Sequence, residues 1–191
     1  MGTTVEVNNI NIWYEEYGDQ TKETILLIMG ANANCMQWDQ EFIDQLVAND
    51  YHVVRFDNRD VGKSTWFGKE PALNKILKII PNFLLRMIVN SIFGIAVDEK
   101  GRFKFSESSP TQYDLSDMAK DAVSLMDTLK IDKAHIIGAS MGGMITQIIA
   151  LDYPERVLSI TPIMTSPGVQ NESLSGPTKE LLEAMKKSFI F

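Results

Sequence analysis

The chain carries one cysteine, Cys35, and two histidines, His52 and His135, in 191 residues. A single thiol excludes a disulfide framework and a thiolate cluster, and two histidines do not make a histidine-rich site, so no metal site is expected. Basic residues are also scarce: 18 Lys and Arg face 25 Asp and Glu, a formal net charge of -7. That balance excludes the broad basic surface that nucleic acid requires. Met1 to Ile12 has neither the basic start nor the apolar run of a secretory leader. Together with the lone cysteine, this makes the cytoplasm the expected compartment. A membrane-spanning run is missing as well. The most apolar stretch, 71–93, is divided by Lys78, Pro81, Asn82, Arg86 and Asn90, whereas a span needs about 20 predominantly apolar residues.

What is present is an alternation of strand and helix patterns. Thr3 to Val7 and Ile10 to Tyr17 are strand-like runs joined by Asn8-Asn9, residues that tolerate the positive φ of a tight turn, and they read as a hairpin. Glu23 to Met29, His52 to Asp57, Ala134 to Gly138 and Val157 to Met164 are further strands, and the run Ile25-Leu26-Leu27-Ile28 has the pattern of one buried on both faces. Helical spacing relates Trp38, Phe42, Ile43, Leu46 and Val47, and again Met118, Ala122, Leu125, Met126 and Leu129, with a cap near Asp114 or Ser116. Met144 to Asp152 reads as a helix stopped by Pro154. The order predicts an α/β fold: a mostly parallel, doubly wound sheet with an N-terminal antiparallel hairpin, in one domain spanning 1–191. Residues 69–112 are too long for a simple connection and read as an apolar helical insertion, a flap over the sheet. Peripheral membrane contact through 71–93 is its alternative role. A last helix is expected over 178–191.

The chemistry-bearing motif is Gly138-Ala139-Ser140-Met141-Gly142, a G-x-S-x-G placed where a buried strand passes straight into a helix. Such a turn holds a serine hydroxyl above the sheet in a strained conformation, and glycines two positions either side relieve the clashes. Gly143 is expected to let the helix approach the neighbouring strand. Acyl transfer also needs amides for a developing oxyanion. Met141, following the serine, supplies one, and Ala31 in the loop Met29-Gly30-Ala31 is the candidate for the second.

Four stretches resemble the α/β-hydrolase family, in particular the serine carboxylesterases similar to aclacinomycin methyl esterases. They are Leu27-Ile28-Met29-Gly30-Ala31-Asn32-Ala33, Phe56-Asp57-Asn58-Arg59-Asp60-Val61-Gly62-Lys63-Ser64, His135 to Met144, and Pro154-Glu155-Arg156-Val157 with Ser159 to Ser166. The resemblance implies hydrolysis of a small-molecule ester through an acyl-serine on Ser140, without a cofactor. It also implies an acid after a seventh strand and a histidine after an eighth. Neither strand is read here, so the expectation is a fold truncated after the sixth strand, a cap that begins at 178–191, and an esterase impaired by the missing acid and histidine. The competing reading is a non-catalytic module that binds a ligand or a partner chain.

His52 and His135 both begin strands. Five residues at about 3.3 Å each place His135 roughly 16 Å from Ser140, far beyond proton-transfer reach. Asp57, Arg59 and Asp60 read as a loop-bracing cluster, and Cys35 as a packing residue. A dinucleotide site is excluded by the absence of G-x-G-x-x-G after a strand, and a phosphate loop by the absence of its lysine. Ending at the sixth strand leaves an unpaired apolar edge, through which self-association is expected.

Overall fold

A computed structural model describes residues 2–68, 112–167, 178 and 180. The chain divides into two compact units, Met1–Gly68 with Gln112–Pro167, and Lys69–Thr111 with Gly168–Phe191. The expected insertion over 69–112 and the expected cap helix over 178–191 lie, but for their described residues 112, 178 and 180, outside what the structure describes.

Strands β1 (Thr3–Val7) and β2 (Ile10–Tyr17) form the hairpin. Its turn residues have φ of 48° at Asn8 and 61° at Asn9, the left-handed pair that matches the twist of a two-residue hairpin. β3 (Thr24–Ile28) and β4 (His52–Phe56) are buried along their whole length. β5 (Ala134–Ala139) and β6 (Val157–Ile163) complete a six-stranded sheet of order β1-β2-β4-β3-β5-β6. β4, β3, β5 and β6 run parallel, and the hairpin joins antiparallel through β2 and β4. The fold class is therefore the mostly parallel α/β sheet with an antiparallel hairpin that the alternation predicts.

Helix α1 is Gln40–Ala48, α2 is Leu115–Thr128 and α3 is Met141–Asp152. Trp38 precedes α1 instead of lying in it, because Asp39 caps the helix by accepting from Glu41 N; Trp38 stacks on Phe42 with ring centroids 5.8 Å apart. Of the two cap candidates for α2, Asp114 takes the role, in a reciprocal capping box with Asp117. The sheet is covered on both faces. Leu26, Ile28, Val54, Phe56 and Ile136 pack with Met118, Ala122, Leu125 and Met126 of α2 and Ile145 and Ile149 of α3. On the opposite face Ile25, Leu27 and Val53 pack with Trp38 and Ile43. Because β3, β4 and β5 run parallel, the loops at their carboxyl ends gather at one end of the sheet, where open α/β sheets hold their sites.

Candidate active site

α3 begins at Met141, three residues earlier than the apolar periodicity indicates, so β5 reaches the helix through Ser140 alone. Ser140 has φ 53° and ψ -118°, is exposed, and makes no side-chain cap bond. A serine before a helix ordinarily takes an extended conformation and caps with its hydroxyl. This one gives up that stabilisation. Its amide donates to Ile163 O at 2.8 Å, and its carbonyl accepts from Gly143 N at 2.9 Å, so the turn is pinned between β6 and α3.

Glycine is required on both sides of the serine. A Cβ at Gly138 would overlap the Gly142 carbonyl and Thr146 Oγ1, and one at Gly142 would overlap the Ile28 carbonyl. The close approach of α3 to the neighbouring strand β3 is therefore made at Gly142. Gly143, which the sequence reading assigns that role, instead faces Thr165 in the segment after β6.

The loop after β3 meets the same turn. A side chain at position 30 would begin 3.1 Å from Ser140 Cβ and 3.6 Å from Ser140 Oγ, so Gly30 stands beside the serine. Ala31 is exposed. Met141 is the first residue of α3, and its amide belongs to the set that a helix N-terminus leaves without an intrahelical acceptor.

The segment after β4 supports this region. Asp57 Oδ1 accepts from Cys35 N at 2.8 Å and Oδ2 from Lys63 N at 2.9 Å. Asn58 Nδ2 donates to Met29 O at 2.9 Å. Arg59 forms a bidentate pair with Asp121 of α2 at 2.6 and 2.7 Å, its guanidinium lying over the rings of Tyr113 and Phe67. Asp60 accepts from Tyr113 Oη at 2.6 Å and Phe67 N at 2.7 Å. Burial, reinforced by the hydrogen bond to the Asp60 carboxylate, holds the Tyr113 phenol well above the usual tyrosine range. The cluster braces loops, as expected. Cys35 is fully buried, and burial together with the nearby Asp57 charge raises its thiol far out of the nucleophilic range.

Neither histidine lies at this end of the sheet. His52, buried, places Nδ1 3.0 Å from Thr24 Oγ1 and Nε2 3.1 Å from Glu16 Oε2. His135 places Nδ1 2.8 Å from Ser159 Oγ and Nε2 3.3 Å from Glu23 Oε2. Among the described residues, no group of three or more His, Cys, Asp and Glu is placed to hold a metal ion, and no helix is long and apolar enough to cross a membrane. Asn58 is the residue that sequence reasoning passes over. Its only signal is its place between Asp57 and Arg59 at the end of a predicted strand.

The sequence matches the alpha/beta hydrolase fold family over residues 23–189, and the chain belongs to that family. Within it the chain is similar to the rhodomycin D methylesterase DauP of Streptomyces sp. (strain C5), 27% identical over 157 residues, which are 82% of this chain and 40% of that protein. It is likewise similar to the rhodomycin D methylesterase DnrP of Streptomyces peucetius, 28% identical over 165 residues, or 86% and 42% of the two chains. The chain thus spans about two fifths of the length of these relatives. Among solved structures, a membrane phospholipase A superposes with a TM-score of 0.62 at 24% identity, covering 98% of this chain and 45% of that one. Epoxide hydrolase A from Mycobacterium thermoresistibile gives 0.59 at 21%, covering 85% and 38%. At such identities the likeness is one of fold.

Proposed function

We propose that this chain carries the acylation machinery of a serine hydrolase of small carboxylic esters, with Ser140 as nucleophile and the amides of Ala31 and Met141 as oxyanion donors. The observation that carries the reading is the exposed Ser140 at positive φ between β5 and α3, with the Gly30 loop against its hydroxyl. A serine held this way forgoes its helix-capping bond, which acyl transfer explains and a packing role does not. The similarity to rhodomycin D methylesterases favours an ester of a carboxylic acid as substrate. No cofactor enters such a reaction, and the proposed compartment is the cytoplasm.

The same reading makes the activity of this chain weak. Both of its histidines are engaged at the amino ends of β4 and β5, so neither takes the Ser140 proton. A hydrolase stripped of one triad member typically retains on the order of 10³ to 10⁴ over the uncatalysed reaction, through its oxyanion donors and substrate binding. Release of nitrophenol from nitrophenyl acetate is expected at that residual level, and Ser140→Ala is expected to remove it. An unchanged rate in Ser140→Ala defeats the nucleophile assignment; full esterase turnover defeats the claim of an incomplete triad. The engaged histidines also favour a second reading, a non-catalytic module that binds an ester-like ligand or a partner chain. It predicts ligand binding that is indifferent to Ser140→Ala.

A further inference from the structure

The loop that runs from Met29 to Cys35 has little of its own to hold it. Ala31 and Asn32 are exposed, Asn32 sits at φ 57°, and one internal bond, Ala33 N to Gly30 O at 3.3 Å, closes a turn. Gly30 adds freedom, since a glycine leaves the peptides on either side free to rotate, and an added Cβ there would stand in tight contact, 3.1 Å from Ser140 Cβ. An oxyanion donor must nevertheless stand within about 2.7–3.1 Å of the developing charge, so a loop that drifts by an ångström loses the interaction.

Both ends of the loop are held from β4. Asn58, 2% exposed, donates to the carbonyl of Met29 and so fixes the peptide plane that enters Gly30. Asp57, also 2% exposed, accepts from the amide of Cys35 with one oxygen and from Lys63 with the other. A carboxylate makes these bonds stronger than a neutral acceptor would. Gly62, at φ 54°, clears the space, because a Cβ there would run into the Asp57 carboxylate. The two side chains are consecutive and stand just beyond a strand whose parallel ladder with β3 is buried throughout. They therefore hold the start and the finish of the loop to the end of β4, the strand paired beside the one from which it springs.

We propose that Asp57 and Asn58 are positioning residues that set the Ala31 amide opposite Ser140 by tethering both ends of the loop that carries it. The inference rests on the reading of Ala31 as an oxyanion donor. Neither residue is hydrogen-bonded to Ser140; they act through the loop.

The test uses the full chain and a fluorophosphonate ester. Ser140 Oγ forms a bond to phosphorus, the phosphorus–fluorine bond breaks, fluoride leaves and the serine proton passes to water; the phosphonyl oxygen then occupies the oxyanion position. Asn58→Asp keeps the shape of the side chain and turns its donor into an acceptor facing the Met29 carbonyl. The buried carboxyl facing a carbonyl is expected to lower the variant's melting temperature, and the protein that remains folded, assayed below that temperature, is expected to be labelled about 10- to 100-fold more slowly, below the loss of a whole oxyanion donor. The phosphorus-31 resonance of its adduct is expected to shift, and the amides from Ala31 to Cys35 to exchange hydrogen faster. A bracing role without positioning would also lower the melting temperature but leave the phosphorus resonance in place. Should Asn58→Asp fail to fold, Asp57→Asn is read in the same way. Wild-type labelling or unaltered loop exchange in the folded variant overturns the inference. Wild-type protein labelled no faster than Ser140→Ala defeats the nucleophile reading instead, and loop exchange alone then decides whether Asp57 and Asn58 tether the loop.

Discussion

Ser140 is held in a left-handed conformation by its neighbours and not by its own preference, and the glycines around it show how closely the neighbours approach. At Gly142 a methyl group meets the Ile28 and Met29 carbonyls, backbone atoms at the end of a strand buried on both sides. Such atoms have no rotamer to change, so Gly142→Ala is expected to cost about 3 kcal/mol, the upper end of ordinary overpacking. Gly68→Ala is the control, since among the described residues nothing lies within 4 Å of a Cβ there. Urea unfolding of both variants checks the contrast, and an equal small effect would mean that α3 can slide away from β3. The motif itself was legible in the sequence because its five residues are contiguous and their spacing encodes a local turn. The tether made by Asn58 was not, because its partner Met29 is 29 positions away and an asparagine after a strand reads as any loop residue. The same holds for Arg59 and Asp121, separated by 62 positions, whose pairing no periodicity announces.

At the scale of elements, the antiparallel hairpin is joined to the parallel sheet by a cross-strand pair. Glu15 of β2 stands directly opposite Arg55 of β4, and the guanidinium bonds the carboxylate through Nε at 2.9 Å while also reaching Tyr17 Oη at 2.6 Å and Trp38 O at 3.3 Å. Burial pushes the Glu15 carboxyl up, but hydrogen bonds from Tyr17 and Arg55 and the Arg55 charge outweigh it, and the net shift is downward. A carboxyl lowered on folding stabilises the fold above its unfolded value of about 4.3, and that contribution is lost as pH falls through the folded value. Glu15→Gln is therefore expected to be less stable than wild type at neutral pH, with the gap closing as the solution is acidified below that value. Urea midpoints measured along the pH series check this; a gap that stays constant would show that the pair contributes through shape and not through charge. Burial, followed by the bond to Glu15, pushes Tyr17 up to about 12, which keeps the network's phenol neutral at every pH of that series. Strand and helix identities were readable from period and turn residues, as Asn8-Asn9 and the Ile25 to Ile28 run show. Their ends were not: α3 starts at Met141 because the glycines that look like loop are helix residues chosen for close packing.

At the scale of the whole molecule, the sheet is unequal at its two sides. β1 and β6 both stand at an edge, each with one hydrogen-bonded neighbour among the described residues, and β6, at seven residues against five, is the longer. The bond from Ser140 N to Ile163 O turns the backbone of Ile163 toward β5, so by alternation Pro162 and Ile160 present theirs to the open side. Proline at 162 removes one donor from that edge, a known way of blunting it, yet Val157 to Ile163 carries no charge to repel a second strand. Its side chains are also out in solvent, with Leu158 42% and Ile160 37% exposed, and Met164 just beyond at 69%. An uncharged apolar edge of this kind is a template for pairing, so the chain expressed alone is expected to self-associate as its concentration rises. Ile160→Lys places a charge on that edge. Because the side chain is already partly in solvent, the substitution should change stability by no more than about 0.5 kcal/mol. Sedimentation velocity across a concentration series is expected to show wild type growing in mean mass while Ile160→Lys stays monomeric with an unchanged melting temperature. A wild-type chain that sediments as one monomeric species throughout would mean that the open side of β6 is covered within the chain itself, and the edge would then be an internal seam instead of a pairing surface.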